Sequence, residues 1–85
     1  MASYRLLIKP SAVKEIEDLP RRDRRRIVAT IQTLSADPRR RGSEKLSGHE
    51  LYRVRQGNYR IVYAIQDADL SVVVVRVAHR RDAYR

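Results

Sequence analysis

A chain of 85 residues can bury one hydrophobic core, so we expect a single domain over residues 1–85 and exclude a second. The lack of cysteine excludes disulfides and a cysteine zinc site, and the longest apolar run, residues 72–75, is far too short to span a bilayer; we expect a cytoplasmic protein without metal or cofactor. The formal net charge of +9 comes mostly from arginine, which binds phosphate bidentately, so nucleic acid is the expected partner rather than a membrane.

A short strand is predicted over residues 4–9, because polar and apolar residues alternate there, and a helix hairpin follows it. Ser11 is the expected N-cap of the first helix, whose apolar side chains recur at helical spacing until the break at Pro20. The acidic side chains of this helix, Glu15 among them, are expected to face solvent.

The second helix of the hairpin is predicted over residues 21–36, where a single apolar stripe ends before an Asp-Pro pair. Five of its first six residues, positions 21–26, are arginines that lie mostly off this stripe. The simplest interpretation is a solvated helix face. Phosphate contact is the alternative.

Three antiparallel strands are predicted after a loop, over residues 51–56, 59–66 and 70–78. The last of them is apolar on both faces and is expected to lie inside the sheet. With the N-terminal strand and the helix hairpin, these elements predict an α+β fold in which a three-stranded antiparallel sheet packs on the helices.

The register of the first two of these strands follows from the two-residue Gly-Asn turn at positions 57–58. In that register Arg55 opposes Arg60, and Arg53 lies on the same face, while apolar residues such as Tyr63 face the helices. A three-residue turn would bury the arginines without partners, which is costly. We therefore predict one sheet face on which arginines converge.

The position of Arg76 depends on the loop before the last strand. If the loop has an odd length, as residues 67–69 would give, Arg76 pairs with Arg60 and joins the arginines; an even loop would place Arg76 in the core. The odd loop is predicted because it avoids an unpaired buried charge.

Short motifs follow one another along nearly the whole chain. They are Lys9-Pro10-Ser11-Ala12, Asp18-Leu19-Pro20, Asp37-Pro38, Lys45-Leu46-Ser47-Gly48, Gly57-Asn58-Tyr59-Arg60, and the ending His79-Arg80-Arg81-Asp82-Ala83-Tyr84-Arg85. In this order and spacing they resemble the RelE/ParE toxin superfamily. The resemblance implies a RelE-like microbial ribonuclease fold.

The RelE branch of this superfamily implies the toxin of a type II toxin–antitoxin pair. Such a toxin is a ribosome-dependent endoribonuclease that cuts mRNA in the ribosomal A site and so inhibits translation. The expected partners are the ribosome, mRNA and a RelB-like antitoxin. The implied chemistry is attack of a ribose 2′-OH on the adjacent phosphate.

The resemblance also implies which residues act. The catalytic positions are Arg55, Arg60, Arg80 and Tyr84, with Arg60 and Arg80 stabilising the charge of the transition state and Tyr84 stacking on a base or orienting the 2′-OH. Arg53, Arg76 and Arg81 are expected to bind RNA.

The general base is left open. The family often has lysine at the position of Arg55, and a guanidinium is a poor base because it keeps its proton far above neutral pH. His79 is the expected substitute, since imidazole titrates near neutrality, although its parity on the strand is opposite to that of the arginines. Catalysis by charge and positioning alone is the third alternative.

Two other functions compete with the nuclease. A ParE-like toxin would poison DNA gyrase and cut no RNA. A non-catalytic RNA-binding protein would use the arginines for phosphate contact only, with binding that weakens steeply as salt rises.

Overall fold

The computed structural model describes residues 3–48 and 50–79, and within them a five-stranded sheet carries two helices on one face. The elements in chain order are β1 (Arg5–Ile8), α1 (Pro10–Glu17), α2 (Arg21–Ala36), β2 (Ser43–Lys45), β3 (Tyr52–Gln56), β4 (Tyr59–Gln66) and β5 (Ser71–His79). The strand order is β1-β5-β4-β3-β2, in which β1 is parallel to β5 and the other neighbours are antiparallel. The predicted α+β class is confirmed.

The predicted three-stranded sheet is too small by two strands. The N-terminal strand β1 joins the sheet beside β5, pairing Leu6 with Val72, so β5 has a neighbour on each side, as its apolar sequence predicted. Strand β2 lies inside the segment predicted as a loop and pairs Glu44 with Arg53. Its three polar residues carry no apolar alternation, so only the pairing with β3 reveals it.

The helices begin and end close to their predicted positions. Helix α1 starts at Pro10 with Lys9 as its N-cap, so the prediction of Ser11 as N-cap is wrong. Proline suits the first helical position because its φ is already helical and its missing N–H needs no partner there. Helix α2 spans the predicted residues. Neither helix has the length and apolar character that crossing a membrane requires, within the part of the chain that the structure describes.

The hydrophobic core lies between the helices and one sheet face. Its buried residues are Ala12, Ile16, Ile27, Ile31, Leu34, Val54, Ile61, Tyr63, Val72, Val74 and Val77. The Tyr63 hydroxyl is buried with its ring and donates a 2.6 Å hydrogen bond to the carbonyl of Pro38. Burying a phenol is stabilising only when its hydroxyl finds such a partner.

The β3–β4 hairpin has the predicted register. Arg55 opposes Arg60, Arg53 opposes Val62, and Gly57 turns the chain with a φ of 60°. A left-handed φ is readily adopted by glycine, which has no Cβ to clash with the backbone. The arginines of both strands therefore share one face.

The β4–β5 connection differs from its prediction. Gln66 pairs with Ser71, so the loop has an even length and ends in Leu70, whose φ is 51°. A β-bulge between the pairs of Tyr63 and Val62 then inserts one extra residue in β5. The bulge reverses the parity that the even loop would impose, and the next residue, Arg76, returns to the face of the arginines.

Candidate active site

Four arginines of strands β3, β4 and β5 lie on the sheet face that points away from the helices. We call Arg53, Arg55, Arg60 and Arg76 the arginine face. Arg76 opposes Val62, not Arg60 as predicted, because of the bulge. With adjacent strands about 4.8 Å apart, the backbones of β3 and β5 on either side of β4 are separated by about 10 Å. Side chains as long as arginine can therefore reach a common phosphate group from three strands.

Arg53 is held by a carboxylate on the neighbouring strand. Its Nη2 and Nε donate to Oε2 of Glu44 at 2.8 and 3.3 Å. The hydrogen bond and charge of Arg53 hold the pKa of Glu44 below its usual range, and the charges of Arg55 and Arg60 lower it further. Glu44 therefore stays ionised at neutral pH and fixes the direction of the Arg53 guanidinium.

Arg76 lies near a carboxylate of helix α1, that of Glu15. The carboxylate lies 3.8 Å from the Arg76 Nε, and its other oxygen accepts the backbone N–H of Val77 at 2.8 Å. Glu15 was expected to face solvent, and this expectation is wrong. The pairing of β5 with β1 ends at Val74. Beyond that point the Glu15 side chain accepts a backbone N–H of β5 that would otherwise need a neighbouring strand.

The two arginines that oppose one another have different environments. Arg60 is buried, with 6% of its surface exposed, whereas Arg55 is exposed. Like charges opposed across strands destabilise a sheet unless a counter-charge lies near. Glu44 supplies negative charge close to this pair, because both guanidiniums contribute to lowering its pKa. The face combines a buried cation with a solvated one.

His79 is not among these arginines. It pairs with Tyr59, and the two rings meet edge to face with centroids 5.5 Å apart. This pair lies on the helix side of the sheet, as the strand parity predicted. The geometry therefore gives the general-base hypothesis for His79 no support.

The remaining predicted positions, Arg80, Arg81 and Tyr84, lie outside the described residues. The structure adds two residues that the sequence did not indicate, Glu44 and Glu15. Glu44 could be recognised only after β2 is paired with β3, and Glu15 only after α1 is docked on β5. Neither pairing leaves a periodic signal in the sequence.

Comparisons with known proteins agree on one family. A family model described as the ParE toxin of the type II toxin–antitoxin system parDE matches residues 6–84. Toxin RelG of Mycobacterium tuberculosis is 34% identical over 86 aligned positions, which cover 96% of this chain and 97% of RelG. The putative toxin RelE1 of Methanocaldococcus jannaschii is 27% identical, with 96% of each chain covered.

Solved structures give the same result. A chain of the toxin–antitoxin complex RelBE2 from Mycobacterium tuberculosis superposes with a TM-score of 0.84 at 29% identity, covering 93% of this chain and 100% of its own. A chain of the archaeal RelE–RelB complex from Pyrococcus horikoshii gives 0.82 at 29% identity, covering 93% and 97%. The shared architecture thus includes nearly every element described above.

Proposed function

Because this chain belongs to the RelE/ParE superfamily of type II toxin–antitoxin toxins, we propose that it is a ribosome-dependent endoribonuclease that cuts mRNA in the ribosomal A site. One observation carries the proposal. Arg53, Arg55, Arg60 and Arg76 come from three strands onto one sheet face, and carboxylates lie within 4.0 Å of two of them. Converging cations are what binding of an RNA phosphodiester requires. On a sheet face that is merely solvated, the charges would be dispersed.

The proposed reaction is an attack of the ribose 2′-OH on the adjacent phosphate. The 2′-oxygen forms a bond to phosphorus while the bond to the 5′-oxygen breaks, which leaves a 2′,3′-cyclic phosphate and a 5′-hydroxyl. The 2′-hydroxyl loses its proton and the 5′-oxygen gains one. Negative charge grows on the phosphate oxygens in between, and cations already in position stabilise it without reorganising.

The arginines take different roles in this scheme. Arg60, the buried cation, faces the reacting phosphate, and Arg55 adds a second cation from the solvated side. Arg53 and Arg76, held by Glu44 and Glu15, bind the flanking phosphates. None of them is a proton acceptor, because a guanidinium stays protonated at any physiological pH. The face therefore contributes charge and positioning rather than general-base catalysis.

The C-terminal residues complete the proposed site. Following the family resemblance, Arg80 is assigned to the transition-state charge, Arg81 to RNA binding, and Tyr84 to stacking on a base or orienting the 2′-OH. These roles rest on the resemblance, since the positions lie outside the described residues.

The proposed regulatory partner is a RelB-like antitoxin in the cytoplasm. Solved relatives from Mycobacterium tuberculosis and Pyrococcus horikoshii are complexes of this kind. With a formal net charge of +9, the toxin attracts an acidic segment, which competes with RNA for the same guanidiniums.

A primer-extension map of a reporter mRNA in a translation extract tests the nuclease. New 5′ ends within codons of translating ribosomes are expected with the wild-type chain and should disappear with Arg60→Ala and Arg80→Ala. The reading frame can be stalled at a chosen codon to show that the cut follows the A site.

Poisoning of DNA gyrase is the second candidate, since the matching family model is that of ParE toxins. An intact mRNA and continuing translation, together with growth arrest, would reject the nuclease and favour gyrase. Gyrase-dependent cleavage of supercoiled plasmid would then be the decisive assay.

A further inference from the structure

A small polar cavity lies where the β3–β4 turn meets the start of α2, on the opposite side of the sheet from the arginine face. Its volume is about 150 Å³. The lining side chains include Asp23, Arg26, Gln56, Asn58, Tyr59 and His79. No part of the proposed nuclease reaction uses this cavity, so its chemistry needs a separate account.

The aromatic wall of the cavity is fixed. The Tyr59 hydroxyl donates to Oδ2 of Asp23 at 3.1 Å, and the Tyr59 ring contacts His79 edge to face. Burial and the neighbouring carboxylate raise the pKa of Tyr59, so the phenol keeps its proton and its hydrogen bond. The other carboxylate oxygen of Asp23 accepts no hydrogen bond from any described residue, which leaves it available to a ligand.

A second observation adjoins the cavity. Five arginines, which we call the arginine ridge, occupy the first two turns of α2: Arg21, Arg22, Arg24, Arg25 and Arg26. Within residues 3–48 and 50–79, no carboxylate lies within 4.0 Å of any of their guanidiniums.

The ridge is unfavourable for the isolated helix. Like charges repel at the i+3 and i+4 spacing, as between Arg21 and Arg25, and cations at a helix N-terminus oppose the helix dipole. A polyanion lying along the ridge relieves both effects. Arg26 belongs to the ridge and to the cavity, so one ligand can use them together.

We propose that the cavity holds an unpaired guanine of RNA while the flanking phosphates lie along the arginine ridge. The cavity is well below the roughly 300 Å³ at which pockets begin to enclose drug-sized molecules, so it fits a single ring system. Tyr59 and His79 provide aromatic contact for a base. Asp23 accepts the paired N–H donors on the Watson–Crick edge of guanine, and Arg26 donates to its carbonyl oxygen.

The same features disfavour an acidic peptide. A peptide carboxylate entering the cavity would meet the charge of Asp23, whereas guanine presents donors to it. The inference rests on the proposed function only in naming RNA as the ligand, since binding of a base requires no cleavage.

The test is a binding measurement with the full chain and fluorescently labelled RNA hairpins. All riboses carry 2′-O-methyl groups, which removes the nucleophile and prevents cleavage. One hairpin has a single bulged guanine, the second a bulged adenine and the third an abasic spacer at the same place. The guanine hairpin should bind at least about 5-fold more tightly than the abasic one, the lower end of what stacking of one base contributes. Adenine should lie between them.

Asp23→Asn should abolish the preference for guanine over adenine while the Tyr59 hydroxyl keeps an acceptor. Asp18→Asn is the matched control, because it makes the same change in net charge at an exposed position outside the cavity. Equal affinity for all three hairpins, or a guanine preference that survives Asp23→Asn, would overturn the inference. If the wild-type chain binds the guanine hairpin preferentially but cleaves no mRNA in extracts, the nuclease proposal is rejected and the guanine site is retained.

Discussion

Two groups of arginines on opposite sides of this molecule are held in different ways. On the arginine face, Arg53 contacts Glu44, Arg76 contacts Glu15, and Arg60 is buried. On the arginine ridge of α2, no described carboxylate is close enough to form an ion pair. Three of the four arginines of the arginine face are thus buried or paired with a carboxylate, whereas the arginines of the ridge lie at the surface.

This difference separates two uses of positive charge. A cation whose position is fixed before the substrate arrives can stabilise a transition state, because no reorganisation is needed during the reaction. A cation that moves in solvent binds a polyanion by releasing counterions, and its contribution falls as salt rises. We therefore expect loss of Arg60 to lower the rate of cleavage, and mutations in the ridge to weaken binding.

The largest expected effect is that of Arg60→Ala on cleavage. Removing one preorganised charge-stabilising group costs about 10²–10³-fold in rate, and we expect a loss of this size in quantitative primer extension. Arg60→Lys should retain part of the activity, because it keeps the charge and loses the bidentate geometry. Arg5→Ala, an exposed arginine on β1, is the control and should cleave as the wild type does.

The carboxylate that anchors the far edge of the arginine face should matter for stability. Glu15→Ala leaves the N–H of the buried Val77 without its acceptor, which should lower the free energy of unfolding by about 1–3 kcal/mol. Glu17→Ala removes an exposed acid from the same helix and should change it much less. Denaturant unfolding of both variants measures the difference, and equal losses would show that Glu15 is no anchor.

Mutations that remove charge from the arginine ridge should raise the stability of the fold instead of lowering it. The triple variant Arg21→Gln, Arg24→Gln, Arg25→Gln removes repulsion at i+3 and i+4 spacing, so its stability should rise by a few tenths of a kcal/mol for each pair. Its affinity for single-stranded RNA should fall, and the slope of log affinity against log salt should flatten by about 2, since each phosphate contact contributes about 0.7. An unchanged salt slope would mean that the ridge does not contact RNA.

Acid should weaken the ion pairs between carboxylates and arginines. The hydrogen bonds from Arg39 and Tyr4 lower the pKa of Asp67 from 3.8 to about 2, and Arg53 lowers that of Glu44. A lowered pKa stabilises the folded state above the ordinary pKa, and this stabilisation is lost as pH falls through the folded value. The melting temperature should therefore drop between about pH 4 and pH 2.

Asp67→Asn should show a smaller drop in melting temperature over this range than the wild type. Glu44→Gln should do the same to a lesser extent. A pH profile of Asp67→Asn that matches the wild type in slope would contradict the assignment.

Periodicity predicted much of the fold because it reflects local geometry. The extent of α2, the β3–β4 register and the shared face of Arg53, Arg55 and Arg60 all follow from apolar spacing and a two-residue turn. Strand β2 was missed because three polar residues carry no such signal.

The errors at the site have a common cause. The β4–β5 loop was predicted to be odd so that Arg76 would avoid the core, and the chain reaches the same result with an even loop and a β-bulge. The sequence predicts that Arg76 stays out of the core, because burying an unpaired charge is costly. It does not predict the combination of loop length and bulge that achieves this. Glu15 was misplaced because its partner lies 62 positions away along the chain, beyond the reach of any local pattern.

The central claim is that the buried Arg60 carries the chemistry, whereas the arginines of the ridge carry the binding. Single-turnover cleavage of mRNA on programmed ribosomes, measured over a range of toxin concentrations, separates the maximal rate constant from the half-saturating concentration. Arg60→Ala should lower the maximal rate constant by about 10²–10³-fold with little change in half-saturation. The triple ridge variant should raise the half-saturating concentration and leave the maximal rate constant unchanged. A ridge variant that lowers the maximal rate constant as much as Arg60→Ala does, or an Arg60→Ala variant that cleaves at the wild-type rate, would contradict the account.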